Sequence, residues 1–189
     1  MYACICALYS TRHGADVLDI PVLESERLRL RGWDIDDADA LRRIYADPLT
    51  MQHIGDGSTM PPDAAWKALA IMLGHWALRG FGQWAVTDRA TGEVLGRAGL
   101  YEPEGWPGTE VGWLLDRPHW GQGLGTEAAQ LAVAWAWETL EVDQLLHLIR
   151  PDNHASIRVA EKLGANYDRQ MDVDGGLVEV YVQHRPTQV

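Results

Sequence analysis

Charged and apolar residues alternate from Arg27 to Trp33 (Arg27, Leu28, Arg29, Leu30, Arg31), the period of a half-buried strand. Asp34 then offers a helix cap, and Asp36, Asp37 and Asp39 load a first turn with negative charge, as the helix dipole prefers. That helix is expected to run to about Ala46 with Leu41, Ile44 and Tyr45 inward, and Gly55–Pro61 to form a loop. Pro62 and Asp63 open a second helix, carrying Trp66, Leu69, Ile71, Met72 and Trp76, that Gly80 ends. Three strand-like runs follow, Gly82–Thr87, Glu93–Tyr101 and Thr109–Asp116, with turns at Asp88–Gly92 and Pro103–Gly108 that suggest an antiparallel meander. Thr126–Leu140 has helical spacing, Leu145–Arg150 reads as a strand and Asn153–Leu163 as a helix stopped by Gly164. Asn166–Met171 and Leu177–Gln183 close the chain as a hairpin around Asp174-Gly175-Gly176. The order β-α-α-β-β-β-α-β-α-β-β is that of a mixed α/β (α+β) chain, neither doubly wound nor all-β.

No repeat or low-complexity linker divides the 189 residues, so residues 23–189 are expected to form one domain behind an N-terminal extension, 1–22. Sixteen Lys and Arg against 27 Asp and Glu give a net charge of −11, which argues against a non-specific nucleic-acid binder or a basic membrane-surface protein. The acidic balance weakly favours cationic partners such as amines. No apolar run approaches the roughly 18 residues of a membrane span, and Met1–Tyr9, although apolar, lacks a basic leader and a cleavage site. Cys4 and Cys6, the only cysteines, can neither staple the fold nor complete a zinc site, and read as reduced thiols of a cytoplasmic protein.

The segment that carries chemistry is His119-Trp120-Gly121-Gln122-Gly123-Leu124-Gly125-Thr126-Glu127, which leaves a strand and enters a helix. Its glycines let the backbone turn and bring free N–H groups towards an anion. No Gly-Lys-Ser/Thr follows, so it is not a nucleoside-triphosphate loop. Thr126 stands where the dinucleotide fingerprint has its third glycine, and the loop does not follow a first strand. Two readings stay open on the loop alone: a pyrophosphate cradle at a helix N-terminus, or a ligand-free connector.

Read with its neighbours, the chain resembles the GNAT superfamily of acetyl-CoA-dependent N-acetyltransferases, in the branch that includes ribosomal-protein N-terminal acetyltransferases. The residues that carry the resemblance are Glu24-Ser-Glu-Arg-Leu-Arg-Leu-Arg31, Glu110-Val-Gly-Trp113, Trp120-Gly-Gln-Gly-Leu-Gly-Thr-Glu-Ala128, and Pro151-Asp-Asn-His-Ala-Ser156 running into Val159-Ala-Glu-Lys-Leu-Gly164. They occur in the family's order and spacing from about Leu23 to Val182. Trp120 stands where much of the superfamily has Arg or Gln, and an aromatic there is common in this branch. The resemblance implies a mixed, mostly antiparallel central sheet of about seven strands flanked by about four helices. It implies that Trp120, Gly121, Gln122, Gly123, Leu124, Gly125 and Thr126 form the cradle, with the N–H groups of Gln122–Thr126 on the acetyl-CoA pyrophosphate. It also implies that Trp113, Leu114 and Leu115 pair through their backbones with the pantetheine arm. The expected partners are acetyl-CoA and an amine acceptor, with no metal, no nucleic acid and no membrane, and a homodimer is a further possible assembly.

An amine attacking a thioester must lose a proton, the oxyanion must be stabilised, and the departing thiolate needs charge relief. Glu110 is the candidate base, placed on the face of its strand opposite Val111 and Trp113, where related enzymes often carry a working Glu; its structural alternative is a cross-strand partner for an arginine such as Arg97. A main-chain N–H of Trp113–Leu115 would meet the oxyanion. Many superfamily members place a tyrosine seven residues after the helix-opening Asn, and here Asn153 plus seven is Ala160. Ser156 is the substitute that the resemblance points to, against a first-turn Ser that bonds its own backbone. Asn153 is a helix cap, a pantetheine contact, or both. Tyr167 and Tyr181 are further acids without motif support. Trp33, Trp84 and Trp106 line an acceptor pocket or belong to the core. The acidic run Asp34–Asp39 is a solvated helix start or a patch for a cationic acceptor. The expected activity is transfer of acetyl from acetyl-CoA to a primary amine, of a protein N-terminus or a small molecule; the alternative is a non-catalytic acyl-CoA-binding or regulatory domain.

Overall fold

The computed structural model describes residues 18–186; Met1–Tyr9 with Cys4 and Cys6 lie outside them. Eight strands form one sheet in the order β1-β2-β3-β4-β5-β6-β8-β7: β1 (Leu23–Glu24), β2 (Leu28–Arg31), β3 (Gln83–Asp88), β4 (Val94–Tyr101), β5 (Glu110–Leu115), β6 (Gln144–Ile149), β7 (Asn166–Val173) and β8 (Gly176–His184). Neighbours are antiparallel except β5 and β6, which run parallel. This is the mixed, mostly antiparallel sheet expected. The extra strand is the two-residue β1, too short to show a period.

Five α-helices flank the sheet: α1 (Ala38–Tyr45), α2 (Pro48–Met51), α3 (Pro62–Arg79), α4 (Leu124–Thr139) and α5 (His154–Lys162). The one-turn α2, unexpected, has a local cause: the Asp47 side chain accepts from the N–H groups of Leu49 and Thr50, and Pro48 supplies the first helical φ. Two members of the acidic run, Asp34 and Asp37, have structural roles. Asp34 caps a 3-10 turn at Ile35–Asp37, and Asp37 is buried in a two-pronged pair with Arg31 while also accepting from the Asp34 N–H at 2.8 Å. The charge of Asp37 is therefore committed within the fold, while Asp36 and Asp39 stay exposed.

The two sheet faces bury different helices. Val111 and Leu115 of β5 pack with Leu28, Leu30, Trp84 and Leu100 under α4. Ala128, Ala132 and Ala136, one turn apart on α4 and fully buried, let that helix lie close to the strands. Leu114 instead joins Ala85 and Val94 beneath α1 and α3. Residues 20 and 21, which the sequence reading placed in the extension, touch this body: Ile20 packs against the α4-side core, and the Pro21 carbonyl accepts from the Trp84 indole at 2.8 Å.

Candidate active site

The parallel pair is barely a pair. β5 and β6 share one register point, Glu110 opposite Leu146, with the Leu146 N–H donating to the Thr109 carbonyl at 2.9 Å. Beyond it β5 stays with β4 and β6 with β8, so the two strands part. Past that rung the β6-facing backbone groups of Trp113 and Leu115 are left without a strand partner, a free polar edge inside the molecule. A cleft of about 470 Å³ occupies this splay, with Trp113, Leu114 and Leu115 on one wall and Asn153 and Ser156 of the α5 start on the other.

The glycine loop closes the open end of the splay. Trp120, Gly121, Gly123, Leu124, Gly125 and Thr126 all line the cleft. Gly121 and Gly123 hold φ of 74° and 79°, a left-handed backbone that favours glycine. Nothing in the side chains caps α4, so its first-turn N–H groups remain available to an anion. The loop is anchored from the other end of the chain: Glu127 in the first turn of α4 accepts from Ser25 Oγ at 2.7 Å and from Arg27 Nε at 2.8 Å. Burial opposes ionisation of Glu127, yet the bonds from Ser25 and Arg27 outweigh it and hold its pKa below the ordinary value. Trp120 is both wall and tie, its indole donating to the Leu115 carbonyl at 2.7 Å. Gln122 is not among the residues lining this cleft. It faces the neighbouring hollow, its side chain donating to the Pro118 carbonyl and its own carbonyl accepting from Arg27.

Asn153 is the helix cap, its side-chain oxygen accepting from the Ser156 N–H at 3.1 Å, and it lines the cleft as well. Ser156 Oγ makes no protein hydrogen bond among the described residues, so the own-backbone alternative is not what occupies it. Ala160 is fully buried with Ile149, Ala165 and Tyr181, and Val159 takes the cleft face instead. Neither Tyr167 nor Tyr181 lines the cleft; the Tyr181 hydroxyl donates to Glu179, and burial with that carboxylate pushes its pKa up to about 12. Trp33 and Trp84 are core residues, Trp84 wholly buried against Trp76 and Trp135.

Glu110 sits at the closed end of the splay, on the face that carries Leu114, and does not itself line the cleft. It stands opposite Tyr101, not Arg97, whose cross-strand neighbour is Leu114 and whose guanidinium bonds the Gln83 side chain. Burial pushes the Glu110 carboxyl up to about 7, opposed by a hydrogen bond from the Trp106 indole and by the charge of Arg97. A residue titrating there is poised to exchange protons near neutrality.

The sequence reading missed the roof. Leu49, Thr50, Gln52, His53 and Ile54, from α2 into the following loop, line the cleft. Two contacts tie this strap to the β6–α5 turn: His53 Nδ1 lies 3.3 Å from Asp152 Oδ1, off the line of a hydrogen bond, and Arg150 donates to the Gly55 carbonyl. Asp47-Pro48 was the available signal, an N-cap followed by proline. Arg158 and Lys162 add two cations to the α5 wall, and neither joins an ion pair among the described residues. Among those residues no helix is long and apolar enough to cross a membrane, and no cluster of three or more His, Cys, Asp or Glu could hold a metal.

A parting parallel pair with a glycine-rich helix start at its mouth makes a cleft suited to an extended, phosphate-bearing ligand, and comparison with known proteins identifies the class as acyltransferase. The sequence profile of the acetyltransferase (GNAT) domain matches residues 27–166, so the chain belongs to the GNAT acetyltransferase family. YkkB of Bacillus subtilis (strain 168) is 31% identical over 155 residues, spanning 78% of this chain and 86% of its own. The crystal structure of an acetyltransferase from Agrobacterium tumefaciens str. C58 is 33% identical, with a TM-score of 0.78 over 87% of this chain and 95% of that one. The ribosomal L7/L12 α-N-protein acetyltransferase RimL, solved in complex with coenzyme A, shares the fold at 18% identity, with a TM-score of 0.73 over 87% of this chain and 98% of its own.

Proposed function

We propose that the protein transfers the acetyl group of acetyl-CoA directly to a primary amine, on a protein N-terminus or a small molecule. The carrying observation is the alignment of three features: the uncapped α4 start at the mouth of the splay, the free β5 edge along it, and Glu110 at its closed end. From Leu115 to Glu110 the strand covers roughly 16 Å, which an extended pantetheine arm can follow. The residues present fit the group. The N–H groups of Leu124–Thr126 would hold the pyrophosphate, Arg158 and Lys162 would add positive charge, and the β5 edge would bond the arm. Bound there, acetyl-CoA supplies the activated thioester.

Glu110, directly or through water, takes the proton as the amine nitrogen bonds the carbonyl carbon. The carbon–sulfur bond breaks, and the thiolate is met by the free hydroxyl of Ser156.

Calorimetric titration with acetyl-CoA, then a thiol-release screen over amines and amino-terminal peptides, tests the reading. Binding with turnover supports it; absence of binding removes it; binding without turnover across the screen points to a sensor. With an acceptor in hand, kcat/KM should rise with pH through about 7 as Glu110 becomes the carboxylate. Glu110→Gln should keep acetyl-CoA affinity and lose roughly a hundredfold or more in rate. An undiminished rate would withdraw Glu110 as the base.

A further inference from the structure

Glu110 is held in an asymmetric way. Its Oε2 accepts from the Trp106 indole N–H at 2.9 Å. Its Oε1 faces the space beside Gly112, where a Cβ would stand 3.7 Å from that oxygen and 3.3 Å from the Gln83 amide nitrogen. Gly112 lies between Glu110 and the cleft-lining Leu114 on the same strand face, so no β5 side chain stands between the cleft and Oε1, and the Gln83 amide is the nearest group there.

Trp106 is itself fixed. Its ring meets Tyr101 edge-on at 5.3 Å, and Tyr101 stacks on His75 at 5.2 Å. Both His75 nitrogens are engaged, Nδ1 with the Phe81 carbonyl at 2.7 Å and Nε2 accepting from the Glu102 N–H at 2.9 Å. The loop that presents Trp106 is pinned where it leaves β4 and returns to β5, by Thr109 donating to Glu102, and within itself by the Trp106 N–H donating to the Pro103 carbonyl at 3.1 Å. A half-buried indole on a loop would not otherwise be expected to keep one orientation.

We infer that Trp106 is a positioning residue for Glu110: its N–H immobilises one carboxylate oxygen so that the other is turned along the strand past Gly112 towards the cleft, the side from which the acceptor amine or its water delivers the proton. This rests on Glu110 being the base. The titratable and charged groups around the carboxyl are Arg97 and Tyr101 on β4, Glu102 where β4 ends, and His75 on α3 behind Tyr101. Asp174 of the β7–β8 turn acts on Tyr101, whose hydroxyl is raised by burial first and by Glu110 and Asp174 next. Removing the indole donor leaves these unchanged and withdraws a bond that favours the ionised form.

The experiment needs no acceptor. In protein labelled with ¹³C at the glutamate side-chain carboxyls, one resonance should ionise near 7 and vanish in Glu110→Gln, which assigns it. Trp106→Phe keeps the ring against Tyr101 and removes the N–H. It should move that midpoint upward by roughly one pH unit, with acetyl-CoA affinity within about twofold of the parent. An unmoved or lowered midpoint overturns the positioning role while the base assignment stands. Glu110→Gln turning over at the parental rate removes the base, and the positioning role with it.

Discussion

His147 is the most constrained single residue outside the chemistry. It is fully buried on β6 beside Trp113, and neither ring nitrogen has a partner of good hydrogen-bond geometry, although the Gln183 amide and the Val111 backbone lie near. Burial lowers its pKa to about 4. The unfolded chain therefore binds a proton below about 6.5 that the folded ring refuses, so stability is whole above that value and falls as the pH drops towards 4. His147→Leu should abolish this slope and gain about 2 kcal/mol over the parent at pH 5, measured by urea unfolding at both pH 5 and pH 8. Nothing in the sequence around Leu146-His147-Leu148 marks that histidine as different from a surface one, because its burial depends on where β5 lies. Glu110 was legible as a candidate through the family resemblance, its alternation with Val111 and Trp113 giving only its face of the strand, whereas the Trp106 donor was not, since a loop sets that contact.

At the scale of elements, the strands and long helices could be read because each carries its own period and stop signals. α2 and β1 are too short for a period, and the roof that α2 builds was lost with it. The anchoring of the glycine loop was hidden for another reason. Ser25 and Arg27 reach Glu127 across about one hundred positions of chain, and no local pattern encodes such a pairing. Its two halves were nonetheless both present in the motifs that carried the family resemblance. Glu127→Ala should cost about 1–2 kcal/mol in thermal or urea unfolding, since Glu127 is mostly buried and Arg27 is half in water. It should also weaken acetyl-CoA several-fold by loosening the cradle. Loss of stability with unchanged affinity would show that the cradle holds its shape without this tie.

For the whole molecule, net charge is a poor guide to the site. A chain at −11 presents Arg158 and Lys162 along its cleft, and Lys162 is one of only two lysines. The average pointed to cationic partners, while the local field suits a polyanion. The double variant Arg158→Glu, Lys162→Glu should lose at least tenfold in acetyl-CoA affinity at low ionic strength, the gap narrowing at high salt as the charges are screened. Equal salt dependence in parent and variant would place the phosphates elsewhere.

The single register point between β5 and β6 has a consequence beyond catalysis. The five-stranded and three-stranded parts of the sheet share one backbone rung, the rest of their seam being side-chain packing such as Trp113 against His147 and Leu145 in the α4-side core, so the sheet resembles a book open on its spine. A pantetheine arm bonded along β5 would act as an interleaved page, adding the rungs that the polypeptide itself omits. Cosubstrate then counts as a building material: at a concentration one hundred times its dissociation constant it would add about 2.7 kcal/mol to the fold. How long a copy lasts between rounds would be set partly by how much of that page is in supply.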